Sequence, residues 1–103
     1  MTDVYIGSAK RTPIGQLNRT LGSLSAAELG STVISDLIND IAPSVFDEVI
    51  IGQELSDGTG QNPARQTALK AGLLIQVPAL MVNQVCVDAM RSPCITSNYL
   101  WQC

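Results

Sequence analysis

The 103-residue chain contains no histidine. That removes imidazole zinc ligands and any acid–base chemistry resting on a histidine of this chain. Cysteine is missing from all but the last fifth, where Cys86, Cys94 and Cys103 crowd together. The count is odd and no Cys-x-x-Cys pair occurs, which argues against a secreted disulfide scaffold and leaves a redox role only an unpaired trio. Charge is sparse, with 6 Lys or Arg against 9 Asp or Glu and a net charge of -3. Lys10-Arg11 is the only adjacent basic pair, so nucleic acid is not an expected partner. No apolar run reaches membrane-spanning length. Met1-Thr2-Asp3 opens without the cationic and apolar regions of a leader, and without the Arg/Ser-rich character of a transit peptide. The expected location is the cytoplasm, with reduced thiols.

What is present is apolar: 46% of residues are hydrophobic, too many for a disordered chain. The length suits one small domain or part of a larger one. Val4–Ala9 reads as a buried strand, followed by a loop punctuated by Pro13, Gly15, Asn18 and Gly22. Ser25-Ala26-Ala27-Glu28 is a capping-box pattern. The helix after it carries Leu29, Val33, Leu37 and Ile41 at helical spacing, widened by Ile34 and Ile38, and Pro43 is expected to end it. Asp47–Gly52 reads as a second strand. Asn62-Pro63 reads as an N-cap and first helical residue, with the helix reaching about Ala71 and Gly72 stopping it. Val77–Val82 is a third strand, extending through Asn83-Gln84-Val85 to Cys86. Pro93 is expected to interrupt any helix starting near Cys86, and residues 98–101 show no clear period. The order strand, helix, strand, helix, strand is βαβαβ. It predicts an α/β fold with a mostly parallel sheet and right-handed crossovers.

Cys86 follows a strand and precedes a possible helix. In open α/β sheets ligands gather at the C-terminal ends of strands. Helix amides and the positive end of the helix dipole at such a corner favour thiolate over thiol. A thiolate exchanges with a thioester at little energetic cost and forms an acyl-enzyme. The same spacing also suits a small buried core cysteine, the commoner role of the residue. Local chemistry leaves both readings open.

Several segments together resemble the thiolase family, in particular its acetyl-CoA acetyltransferase (acetoacetyl-CoA thiolase) branch. They are Ser8-Ala9-Lys10-Arg11-Thr12-Pro13-Ile14-Gly15, Ala27-Glu28-Leu29-Gly30, Asp47-Glu48-Val49-Ile50-Ile51-Gly52-Gln53, Gly60-Gln61-Asn62-Pro63-Ala64-Arg65-Gln66, and Pro78-Ala79 with Val82-Asn83-Gln84-Val85-Cys86. They stand in the family's order and spacing over residues 4 to 86. The resemblance implies Cys86 as the nucleophile that carries the acyl group as a thioester. A second acetyl-CoA then condenses with it in a Claisen reaction, or CoA cleaves a 3-ketoacyl-CoA in reverse. It implies lipid metabolism, no metal and no cofactor, with coenzyme A thioesters as substrates. It also implies a layered fold that works as a dimer or tetramer, with residues 61 to 66 near the subunit contact. Arg65 there either ties loops or is a solvated helix residue.

After Cys86 the family pattern Gly-Ser-Gly-Leu is replaced by Val87-Asp88-Ala89-Met90. Val87 stiffens a corner where glycine lets backbone approach the substrate. Asp88 sets a negative charge beside the proposed thiolate. Met90 and Arg91 still echo the family; from Ser92 the likeness ends. Residues 1–86 are thus expected to be a partial thiolase N-terminal domain truncated after the third strand, and residues 87–103 a divergent tail. A frameshift or altered splice junction would give that pattern, and so would a short protein with its own tail. Cys94 and Cys103 do not match the context of the family's second cysteine. With no histidine for the α-proton step, the chain alone is expected to be inactive. The alternative function is a non-catalytic module that pairs with full-length thiolase subunits. An exposed sheet edge and apolar faces predict poor solubility on its own.

Overall fold

The computed structural model describes residues 3–94. Cys103 and residues 98–101 lie outside the described residues, as do Met1 and Thr2 of the leader reading. The first regular element is helix α1, Ala26–Leu37, and its start follows from the Ser25 capping box. Ser25 Oγ accepts from the Glu28 amide at 3.2 Å, and the Ser25 amide donates to Glu28 Oε2 at 2.7 Å. The pair satisfies two donors that helix geometry leaves unpaired. The Ser25 amide, and then the Ser25 hydroxyl donating to Glu28 Oε2 at 2.8 Å, hold the Glu28 carboxyl below its ordinary pKa.

A carboxyl whose folded value is depressed stabilises the fold above its unfolded value and loses that contribution as pH falls through the folded value. Glu28→Gln is therefore expected to melt below wild type at neutral pH. The gap should close once the pH drops beneath the ordinary carboxylate range, as read by thermal melts across a pH series.

Helix α1 stops at Leu37, short of the expected Pro43. Asn39 and Asp40 favour turns over helix interiors, and Ala42, just before proline, is extended at φ -61 and ψ 130. Pro43 instead opens a 3-10 turn, Pro43–Val45. Ile41 consequently drops out of the apolar stripe and is 44% exposed.

Strand β1, Val49–Gly52, helix α2, Pro63–Lys70, and strand β2, Ala79–Val82, follow. The two strands pair in parallel, Val49 with Ala79 through Gly52 with Val82. The Asn62-Pro63 start of α2 is as the sequence predicts. Asn62 Oδ1 accepts from the Arg65 amide, and its Nδ2 reaches across to the carbonyl of Ala79 at 3.1 Å. Gly72, at φ 92, follows the helix in the left-handed region that favours glycine.

The core forms where α2 covers the sheet. Val49, Ala68, Leu73 and Val77 are its buried cluster, with Ile34, Ile38, Phe46, Ile51 and Ala79 packed around them. Helix α1 packs against α2. There the missing side chain of Gly30 leaves room for Thr67, whose Cγ2 lies 3.0 Å from where a Cβ would stand.

The α/β class and the parallel sheet are as expected, but the described residues contain one βαβ unit rather than two. Val4–Ala9 is not a strand, and Tyr5 and Ile6 are 82% and 91% exposed. A strand exists by hydrogen bonding to a neighbour, and among the described residues the sheet consists of β1 and β2 alone. Lys10 is instead tethered to α1 by an exposed ion pair with Asp36 at 2.9 Å.

Candidate functional site

The β1–β2 ladder is extended at its C-terminal end, where the Gln53 amide donates to the carbonyl of Val82 at 3.1 Å. Asn83 then takes over with its side chain. Its Nδ2 donates to the carbonyl of Glu54 at 2.7 Å, and its Oδ1 accepts from the amide of Val85 at 3.1 Å. The strand does not run on to Cys86 as the sequence suggested. It ends at Val82, because Val85 is bent to φ 56, outside any strand geometry. Cys86 lies in the 3-10 turn Val85–Val87 that follows, and residues 88–94 are helical. Pro93 does not interrupt them. Proline has no N–H to give the carbonyl of Ala89, while Ser92 Oγ donates to the carbonyl of Asp88 at 3.4 Å.

This bend presents Cys86 as an exposed thiol, and among the described residues its Sγ makes no hydrogen bond. Its rim is apolar: Val85, Val87 and Met90 are 55%, 56% and 73% exposed. Asp88 turns the other way from solvent. It is buried, and its Oδ2 has no hydrogen-bond partner among the described residues. A buried carboxyl oxygen left unpaired is costly, so Asp88 burdens the corner from below and does not face the thiol as its place in the sequence suggested.

Beneath the bend sits Gly52, the last residue of β1. A Cβ there would fall 2.5 Å from Asp88 C and from Ala89 N. Glycine is what allows the start of the helical stretch to rest on the strand. Sequence reading placed Cys86 at this corner but missed both supports. The signals were available: an Asn two residues ahead of a bend can form an Asx turn, and a Gly at a strand end can mark close backbone approach.

Arg65 does tie a loop. Its guanidinium donates to the carbonyls of Val77, at 2.7 Å, and Ile75, fastening the segment between α2 and β2. Arg65→Ala is expected to cost about 2 kcal/mol, and Arg65→Lys nearly as much because one ammonium cannot reproduce the fork. Chemical denaturation of the three proteins measures it. A shallow cleft of about 450 Å³ borders Arg65, Gln61 and Pro78. It adjoins Ala79, where β2 begins, whereas Cys86 follows the end of that strand. The C-terminal end, where parallel sheets gather ligands, is the better candidate site. Among the described residues no group of three or more His, Cys, Asp or Glu side chains converges for a metal ion, and no helix is long and apolar enough to cross a membrane.

A parallel βαβ unit with a thiol lifted onto the bend after its second strand defines an α/β protein with a candidate cysteine site at the sheet's C-terminal end. The chain belongs to the thiolase family: residues 4–97 match the thiolase N-terminal domain. An acetyl-CoA acetyltransferase of Cupriavidus necator is 44% identical over 100 residues, covering 95% of this chain and 25% of that protein. One from Allochromatium vinosum is 47% identical over 92 residues, covering 87% and 23%. Among solved structures, the Acat5 thiolase from Ascaris suum in complex with coenzyme A superposes with a TM-score of 0.84 at 33% identity, covering 88% of this chain and 24% of that one. The family is enzymatic, and the chain spans about a quarter of the length of these relatives.

Proposed function

We propose that the chain is the N-terminal part of a thiolase of the acetyl-CoA acetyltransferase kind, and that Cys86 is its acyl acceptor. The supporting observation is the exposed thiol on a braced bend at the C-terminal end of β2, in a chain whose relatives are named for acetyl transfer. Cys86 Sγ gives up its proton and attacks the acetyl-CoA carbonyl. A new carbon–sulfur bond forms to Cys86, the bond to the CoA sulfur breaks, and CoA leaves and takes up a proton. In the complete reaction the α-carbon of a second acetyl-CoA displaces Cys86 to give acetoacetyl-CoA, and thiolysis runs the same steps backwards. We place the protein in cytoplasmic lipid metabolism, with CoA thioesters as substrates and no cofactor.

The Claisen step needs a base for the α-proton, and this sequence has no histidine to supply one. The 103-residue chain is therefore expected to accept one acetyl group on Cys86 but not to turn over acetoacetyl-CoA. Incubation with acetyl-CoA, followed by mass spectrometry of the tryptic peptides, tests the first half. Absorbance of acetoacetyl-CoA in the presence of CoA tests the second. An unmodified Cys86 peptide would overturn the proposal; sustained thiolysis would overturn the claim that the chain alone is inactive.

A second reading, a module that pairs with full-length thiolase subunits, is favoured by one feature. Ile6, Ile14 and Leu17 are each about nine-tenths exposed along the N-terminal segment, and among the described residues the sheet has only two strands. Co-expression with an intact thiolase and pull-down distinguishes it.

A further inference from the structure

Val85 is β-branched, yet its backbone stands at φ 56. Residues of that shape rarely occupy the left-handed region, and they remain there only where the surroundings enforce it. The enforcing group is Asn83. Asn83 Oδ1 accepts from the Val85 amide while Asn83 Nδ2 is anchored on the carbonyl of Glu54, beyond the end of β1. One side chain therefore fastens the two strand ends together and draws the chain into its turn. Val85 is 55% exposed, so packing of its own side chain contributes little to holding the bend. The next residue is Cys86.

We propose that Asn83 is a positioning residue for Cys86: it holds Val85 in the left-handed conformation that turns the thiol outward. This rests on the acyl-acceptor reading for its purpose, but not for its geometry. Without the Asn83 amide, Val85 relaxes toward the extended region that β-branched residues prefer, and Cys86 is carried away from the apex. The coupling is directional. The cost of losing Asn83 exists because Val85 resists its conformation. A residue that tolerates the left-handed region, such as asparagine, then needs the clamp less.

The test is a double-mutant cycle on the full 103-residue chain with Asn83→Ala, Val85→Asn and both together. Two rates are read at Cys86: acetylation by acetyl-CoA and alkylation by iodoacetamide. Trypsin cleaves after Lys70 and Arg91, so Cys86 falls in a peptide free of Cys94 and Cys103. Circular dichroism confirms that each variant keeps its helices. Asn83→Ala is expected to slow both reactions about tenfold. In the Val85→Asn background the same substitution should slow them no more than about twofold, and Val85→Asn alone should raise Tm.

A merely structural Asn83 gives equal effects in the two backgrounds, and that outcome overturns the proposal, as do unchanged rates in Asn83→Ala. If wild type is alkylated with the expected coupling but never acetylated, the clamp stands and the acyl-acceptor reading falls. Should Asn83→Ala unfold, Asn83→Asp replaces it. That variant keeps the acceptor for Val85 and loses the donor to Glu54, and it is read in the same two backgrounds: slowing that shrinks with Val85→Asn supports the clamp, and equal slowing overturns it.

Discussion

Cys86→Ser is expected to reduce acetyl uptake from acetyl-CoA at position 86 by on the order of a thousandfold or more, the scale on which removing a nucleophile acts. Serine keeps the shape of the side chain and changes its chemistry. A hydroxyl attacking a thioester must first be deprotonated, and the sequence offers no histidine to do it. Cysteine reaches its anionic form far more easily near neutral pH. The substitution is structurally mild, because Cys86 is exposed and its Sγ makes no hydrogen bond among the described residues. Stability should stay within about 0.5 kcal/mol of wild type, so lost acylation cannot be ascribed to unfolding. Cys94 is exposed too and will react with strong electrophiles. The discriminating measurement is therefore the peptide spanning residues 71–91, not the total label on the protein. If Cys94 or Cys103 takes the acetyl group as fast as Cys86 does, the bend confers nothing, and position 86 is only one thiol among three.

The parts of this fold that were legible in the sequence are those governed by neighbours along the chain. The Ser25–Glu28 box, the Asn62-Pro63 start and the Gly72 stop are local chemistry, and each is found where the residues put it. The extent of α1 was less legible because the apolar spacing continues to Ile41 after the backbone has turned at Asn39 and Asp40. Val4–Ala9 failed for a different reason. Its apolar run is strand-like, but a strand is a relation between two segments, and no neighbour among the described residues pairs with it. The site shows the same division. Cys86 could be placed after a strand from local pattern. Its bracing could not, because the Asn83 bond to Glu54 spans 29 residues and Gly52 lies 36 positions before the backbone of Asp88 that rests on it. Asp88 was read as a neighbour of the thiol by sequence distance, but a 3-10 turn into a helix sends the two side chains to different environments, one exposed and one buried.

Gly52→Ala should be the most damaging single-methyl change in the described fold. The added Cβ would stand 2.5 Å from Asp88 C and Ala89 N and 2.7 Å from Asp88 O. All three are backbone atoms, so no rotamer change relieves the overlap. Either β1 withdraws from β2 or residues 88–94 lift off the strand. Overpacking of this kind costs about 3 kcal/mol, and in a domain of this size that lowers Tm by about 15 °C. Gly7→Ala is the matched control, since a Cβ there meets nothing within 4 Å, and its Tm should stay close to wild type. The functional consequence separates the two ways of yielding. If the helical stretch lifts, Cys86 loses its support from below while the Asn83 bonds to Glu54 and Val85 persist. Acetylation then falls by about tenfold at temperatures where circular dichroism still reports a folded chain. If β1 withdraws, the core around Val49 opens and the protein melts before any selective loss can be measured. A Gly52→Ala protein with wild-type Tm and wild-type acetylation at Cys86 would show that the bend does not rest on β1 at all.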